Sequence, residues 1–140
     1  MIPAPPLSRG EGGRVRLRRV PSLPPKTGWA FQEVSRRHGD FAMVGVAALL
    51  TLDDGGVIRR ARLAFTGAAS TPVRSSAAEA ILVGQRPEER LFSEAAARAT
   101  QDLDPHDDIH ASADYRRLVG GVLARRALTE AATRAREIPN

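Results

Sequence analysis

The 140-residue chain has the length of one ordinary domain, and its composition excludes several classes of site. Apolar residues make up 42% of it, enough for a packed core, although aromatic residues at 4% leave that core mainly to aliphatic side chains. The absence of cysteine excludes disulfides, thiolate zinc sites, iron–sulfur ligation by this chain and cysteine nucleophiles. No segment has the roughly 20 apolar residues of a membrane span, and the N-terminus lacks a secretory signal's apolar stretch, so we expect a cytoplasmic protein.

The chain is basic. Its formal net charge is +5, and every basic residue except Lys26 is arginine. Nucleic-acid-binding surfaces have basic residues in a continuous stripe or interleaved with aromatic residues. The arginines of this chain show neither arrangement. They fit either a solvated arginine-rich surface or a surface that meets anionic ligands or a docking partner. We expect no nucleic-acid partner; weak binding through the arginines is an alternative that a steep salt dependence would reveal.

The first 28 residues show little sign of packed structure. Residues 1–13 are rich in proline and glycine and predict a disordered leader. Arginines alternate with apolar residues over Arg14–Val20, which predicts a short edge strand. The prolines of Pro21–Gly28 then predict an extended loop.

Three strand-like segments follow and predict a small antiparallel sheet. Trp29–Arg36 alternates with a period of two, and Phe41–Leu52 is apolar on both faces, which predicts a central strand covered on each side. Asp53–Gly56 predicts a tight hairpin turn. Val57–Thr66 alternates again, although Arg59 breaks the pattern. The side chains predicted to face the core from this segment are Val57, Ala61, Leu63 and Phe65.

The second half of the chain predicts helices. Ser76 and Glu79 have the spacing of a capping box, in which Glu79 reaches back to the Ser76 amide, and Gly84 predicts the end of that helix. A second helix is predicted after the acidic Pro87–Glu89. The residues of its apolar stripe are Leu91, Ala95, Ala99 and Leu103.

A long last helix is predicted from an N-cap at Ser112 to about Arg136. Its predicted apolar stripe consists of Tyr115, Leu118, Val119, Val122, Leu123, Ala127 and Ala131. Gly120 and Gly121 inside it predict either a bend or the close approach of another backbone. Since strands precede helices, the sequence predicts an α+β domain: a three- to four-stranded antiparallel sheet packed against about three C-terminal helices.

Few residues suggest chemistry by themselves. His106 and His110 lie among the aspartates of the loop Asp102–Asp108, a group that could ligate a divalent metal. The same residues fit an acidic loop that caps the following helix, and we expect no metal. We also expect no catalytic residue, because no nucleophile–histidine arrangement with a known spacing is present.

Four motifs stand in a definite order between about residues 14 and 136. They are Thr27-Gly28-Trp29-Ala30-Phe31, the basic turn from Arg36 to Ala42, a Thr-Pro-x-Arg and Ala-Glu helix from Thr71 to Glu79, and Asp114-Tyr115-Arg116-Arg117. In this order and spacing they resemble the C-terminal domain of the flavin-binding medium subunit of the molybdenum hydroxylases. That group includes carbon monoxide dehydrogenase and bacterial xanthine dehydrogenases.

The resemblance implies a part in electron transfer. In that family the medium subunit holds FAD, a small subunit carries two two-iron, two-sulfur clusters, and a large subunit carries the molybdopterin cofactor at which substrate is hydroxylated. The C-terminal domain packs over the flavin ring and contributes to subunit contacts. The resemblance assigns residues 14–140 to this domain and leaves the domain that binds the FAD pyrophosphate absent, so we expect neither tight FAD binding nor activity from the chain alone. The partners implied are the two other subunits, and a separate chain with the FAD domain.

The resemblance also implies site residues. Trp29 or Phe31 matches an aromatic segment near the flavin ring, the basic turn matches a polar part of the flavin pocket, and Arg74 matches a basic residue on the flavin side. The cofactor-binding residues implied are Trp29, Phe31, Arg36, Arg37, Asp40 and Arg74. A structural salt bridge between Asp40 and Arg36 or Arg37 is the alternative for the turn. The alternative for the whole chain is a truncated, non-redox interaction module that keeps only the fold.

Overall fold

The structure, a computed structural model, describes residues 17–138. It has the predicted α+β fold, with a four-stranded antiparallel sheet whose strands lie in chain order and three helices that follow it. The strands are β1 (Thr27–Val34), β2 (Val44–Leu52), β3 (Ile58–Thr66) and β4 (Val73–Arg74). The helices are α1 (Ser76–Leu82), α2 (Glu89–Thr100) and α3 (Ala113–Glu137).

The predicted N-terminal strand is wrong where the structure describes it. Residues 17–20 have no regular structure, and Leu17 and Val20 are 91% and 86% exposed, because no apolar surface lies against them. The fourth strand is instead β4, which pairs with the end of β3. The predicted leader over residues 1–13 lies outside the described residues.

The middle strand β2 is covered by helices on one face only. Val46, Ala48 and Leu50 are buried on the face against which α3 packs. The prediction that β2 is covered on each side is wrong, because Ala47 on the opposite face is exposed and Leu49 is half-buried. Apolar side chains on that face therefore mark a surface and not a second core layer.

The predicted hairpin turn is confirmed. The Oδ1 atom of Asp53 accepts hydrogen bonds from the amides of Gly55 and Val57, each at 2.9 Å. Gly56 has φ +79°, a left-handed conformation that glycine adopts without strain. The turn thus needs both the aspartate acceptor and the glycine.

A register shift beyond this turn changes which residues of β3 face the core. Arg60 pairs with Thr51 but Ile58 pairs with Leu52, so Arg59 is an extra residue of a β-bulge. The bulge explains why Arg59 breaks the alternation in the sequence. It also makes Ile58, fully buried, the core residue in place of the predicted Val57.

Helix α1 is capped differently from the prediction. The N-cap is Ser75, not Ser76. Glu79 does not reach back to the Ser76 amide; it accepts a hydrogen bond from the Leu63 amide of β3 at 3.0 Å, because α1 packs on that strand. The predicted end of the helix is confirmed by Gly84, which has φ +87°.

Helix α3 begins after the predicted N-cap Ser112, and its buried face matches the predicted stripe only in part, since Leu123, Ala127 and Ala131 are buried as predicted. Tyr115, Leu118 and Val122 are exposed, whereas small residues form most of the face against the sheet. Its buried residues are Arg116, Gly120, Leu123, Ala124, Ala127, Leu128, Ala131, Ala132 and Ala135. Within residues 17–138, no helix is both long and apolar enough to cross a membrane.

Close packing against β1 explains why small residues form the buried face of α3. A Cβ on Gly28 would overlap the carbonyl oxygen of Ala131 and the amide of Ala135 in α3. The close backbone approach therefore occurs at Gly28. At Gly120 and Gly121 the neighbours within 3.4 Å of an added Cβ are instead side chains, those of Leu103 and Thr100.

Candidate functional site

The helix-free face of the sheet carries an apolar groove of about 490 Å³, which we call the sheet groove. The residues that line it from this face and from the preceding loop are Leu23, Trp29, Phe31, Ala47, Leu49, Arg62, Ala64 and Arg74. Trp29 is 55% and Phe31 50% exposed, so two large aromatic side chains stand over a floor that includes two alanines.

The aromatic side chains of the groove are held in place. A Cβ on Gly45 would lie 3.0 Å from Cζ of Phe31, so the Phe31 ring packs where β2 has no side chain. The guanidinium carbon of Arg134 lies 4.9 Å from the centre of the Trp29 ring. Arg134 also donates to the Trp29 carbonyl oxygen at 2.7 Å and pairs with Glu130. Helix α3 thus reaches around the sheet edge to fix the Trp29 ring.

Two arginines at the groove share one buried carboxylate. Arg74 donates from Nε and Nη2 to the two oxygens of Glu79, at 2.8 and 2.7 Å. Arg62 lies 3.7 Å from the same carboxylate, which is 5% exposed. Burial raises the pKa of Glu79, but the Arg74 and Leu63 hydrogen bonds and both arginine charges outweigh it and lower that pKa. Glu79 is therefore ionised, and one positive charge of the pair is left uncompensated at the groove.

The basic turn between β1 and β2 lines a second depression of about 750 Å³, which we call the turn cleft. Its lining residues are Arg36, Arg37, Asp40, Phe41, Ala42, Met43, Asp108, His110 and Arg116. Among residues 17–138, neither Arg36 nor Arg37 forms an ion pair with Asp40. The structural salt bridge considered for this turn is thus not found in the described part of the chain.

Arg116 anchors the floor of the turn cleft. This buried side chain donates to the carbonyl oxygens of Met43 and Gly67 and pairs with Asp108 at 2.8 Å. The amides of Ala111 and His110 donate to Asp108, and together with Arg116 they lower the pKa of Asp108 to about 2. The histidine–aspartate loop is therefore organised around an arginine. No group of three or more potential metal ligands occurs within residues 17–138.

The structure divides the sequence-predicted site residues between the two depressions. Trp29, Phe31 and Arg74 line the sheet groove, whereas Arg36, Arg37 and Asp40 line the turn cleft. The two sets share no lining residue. Sequence reasoning missed Arg62 and Arg116. The available signal for Arg116 was its place in the motif Asp114–Arg117, to which the resemblance gave no site role.

The chain is similar in sequence and structure to known proteins of one family. The model of the CO dehydrogenase flavoprotein C-terminal domain family matches residues 29–131. The chain is 44% identical over 117 residues to 6-hydroxypseudooxynicotine dehydrogenase complex subunit alpha of Paenarthrobacter nicotinovorans, covering 84% of this chain and 40% of the relative. It spans about 40% of the length of such relatives.

Solved structures agree with this match. A carbon monoxide dehydrogenase chain from Hydrogenophaga pseudoflava superposes with a TM-score of 0.78 at 35% identity, covering 82% of this chain and 40% of that one. A quinoline 2-oxidoreductase chain from Pseudomonas putida 86 superposes with a TM-score of 0.73 at 35% identity, covering 79% and 39%. Likeness at this level extends to sequence as well as fold.

Proposed function

This chain belongs to the CO dehydrogenase flavoprotein C-terminal domain family, and from that premise we propose that it covers the flavin of a molybdenum hydroxylase medium subunit. The observation that carries the proposal is the sheet groove. Two large aromatic side chains and an arginine pair stand over an apolar floor that no part of residues 17–138 covers.

The groove suits a planar ring system. Its floor includes Ala47 and Ala64, whose small side chains leave room for a flat group, and Trp29 and Phe31 offer faces or edges for aromatic contact. Its polar atoms come mainly from Arg62 and Arg74 at the rim. An apolar surface with a few charged groups is typical of cofactor sites.

Each residue has a separate task in this proposal. Bound FAD supplies the electron relay between the other redox centres and an acceptor. Trp29 and Phe31 exclude water from one side of the ring and restrict its orientation. Arg62 and Arg74 place net positive charge near it, since they share the single carboxylate of Glu79, and positive charge favours an anionic form of the cofactor.

The basic turn is proposed as a second point of contact. The family resemblance assigns Arg36, Arg37 and Asp40 to the polar part of the flavin pocket. They follow β1 in the chain, so the strand that holds Trp29 and Phe31 in the sheet groove leads directly into them. A contact with the polar margin of the cofactor is a prediction that variants of Arg36 and Arg37 in the complex would test.

The remaining partners follow from the same proposal. Relatives are named as subunits or medium chains, including a caffeine dehydrogenase subunit beta of Pseudomonas sp. (strain CBB1). We propose that residues 14–140 form the flavin-covering domain and that a separate FAD domain holds the pyrophosphate. An iron–sulfur small subunit and a molybdopterin large subunit complete the assembly.

Flavin spectroscopy on a reconstituted complex tests the role of the groove. The chain is combined with a flavin-loaded FAD domain, and the flavin absorbance spectrum and reduction rate are measured for the wild type, Trp29→Ala and Phe31→Ala. Both variants should shift the spectrum or slow reduction. Leu118→Ala, an exposed apolar residue of α3, is the control and should change neither quantity. Groove variants that behave like this control would remove both aromatic residues from the site and favour a non-redox interaction module.

A further inference from the structure

The turn cleft has arginines that the rest of the described chain does not neutralise. Arg36 and Arg37 are exposed, and within residues 17–138 neither guanidinium makes an ion pair or a hydrogen bond. Several other arginines do pair with a carboxylate, as Arg125 does with Glu89 at 2.9 Å. The pair is thus available to a ligand.

The charge balance of the cleft is positive. Asp108 compensates Arg116 and is also held by two backbone amides, so its carboxylate is fully engaged. Asp40 is then the only other carboxylate of the lining, against Arg36 and Arg37. The floor also has a donor to spare, because Nε of the buried Arg116 is without a hydrogen-bond partner among the described residues.

The wall of the cleft is apolar. Phe41, Ala42 and Met43 form it, and Phe41 is 99% exposed, although it lies next to the start of the buried strand β2. A ligand body packed against Phe41 would bury apolar surface that water now covers. A volume of about 750 Å³ accommodates a small organic molecule, and not merely a single ion.

We propose that the turn cleft binds a small organic anion, with its carboxylate or phosphate group between Arg36 and Arg37 and its apolar part against Phe41. Arginine binds both oxyanions through paired, charge-assisted hydrogen bonds. This binding is the alternative to the contact of Arg36 and Arg37 with the cofactor proposed above. The site shares no lining residue with the sheet groove, so the proposal stands whether or not that groove takes a flavin.

Titration of the ¹⁵N-labelled full chain, followed by NMR, tests the proposal without any flavin. The probes are phenyl phosphate, benzoate and the uncharged benzamide. The anions should shift the amide signals of the turn and of residues 108–111, and benzamide should not. Shifts with phenyl phosphate alone identify a phosphate site, and shifts with benzoate alone identify a carboxylate site. No shift with either anion, or equal shifts with benzamide, would overturn the proposal.

Matched double variants locate the binding. Replacing both Arg36 and Arg37 with glutamine should weaken anion binding at least tenfold, about 1.4 kcal/mol. Arg59 and Arg60 are consecutive exposed arginines of β3 that do not line the cleft. Replacing both with glutamine removes the same charge and should leave the affinity unchanged. Equal weakening by both double variants would show a general charge effect and contradict the site. For the wild type, added salt should weaken the binding of both anions, because the site attracts them by charge.

Discussion

The carboxylate of Glu79 connects three elements of the fold. It accepts hydrogen bonds from Arg74 in β4 and from the Leu63 amide in β3, and it lies in α1. A buried carboxylate costs free energy unless it is paired, and here every described partner is a cation or an amide. The same contacts hold Arg74 at the sheet groove.

The first prediction concerns that carboxylate. Glu79→Gln removes the charge that two arginines share, and it should lower the free energy of unfolding by about 2 kcal/mol. Urea denaturation measures the change. Glu89→Gln is the control: its carboxylate pairs with Arg125 at the surface, and its loss should cost at most about 0.5 kcal/mol. Equal effects of the two substitutions would contradict the role given to Glu79.

A second residue gives a pH dependence. The amides of Ala111 and His110, with Arg116, lower the pKa of Asp108 to about 2, from an ordinary value of 3.8. Because the folded-state pKa is lowered, the contribution of Asp108 to stability is complete above about pH 4 and is lost as the pH falls toward about 2. The difference in urea midpoint between the wild type and Asp108→Asn should therefore shrink over that range. A constant difference would contradict this assignment.

At the scale of elements, the contact between β1 and α3 depends on a glycine. Gly28→Ala should lower the free energy of unfolding by about 3 kcal/mol, since the added methyl overlaps the α3 backbone at Ala131. Gly55→Ala is the control, because its Cβ would meet only the Asp53 carboxylate, at 3.4 Å. Urea denaturation of both variants measures the difference. A tolerated Gly28→Ala would mean that α3 lies farther from the sheet.

Most elements were predictable from local patterns. The alternation of β1 and β3, the Asp53–Gly56 turn, the Gly84 helix end and the Ser112 N-cap depend on neighbouring residues and are found. Two local patterns failed, because residues 17–20 form no strand and the N-cap of α1 is Ser75 instead of Ser76. The bulge at Arg59 depends on pairing with β2, which local alternation does not report. The buried face of α3 depends on how closely β1 approaches the helix. The close approach leaves room for alanine side chains, and the larger Leu118 faces away from the sheet.

The sequence named residues that line the two depressions, but it did not predict that they are divided between them. The resemblance named Trp29, Phe31 and Arg74 together with the basic turn, but strand direction places the turn beyond the sheet groove. Arg62 was missed because its alternation predicts only an outward side chain. That it faces the groove depends on the absence of a helix from this side of the sheet within the described residues.

At the scale of the molecule, the proposed function makes the chain one half of a flavin site. Trp29 is the single tryptophan, so its fluorescence reports directly on the sheet groove. A flavin ring placed against Trp29 should quench that emission strongly. Free FAD added to the chain alone should quench it only weakly, because no glycine-rich loop of the kind that holds a pyrophosphate lies among the described residues that line the groove.

The decisive measurement is a fluorescence titration of the chain with an FAD domain, once flavin-loaded and once flavin-free. We predict saturable and nearly complete quenching of Trp29 by the loaded domain, with little quenching by the flavin-free domain. Binding of the loaded domain that leaves the Trp29 emission unchanged would contradict the proposed function, since it would show that this face of the sheet does not meet the flavin.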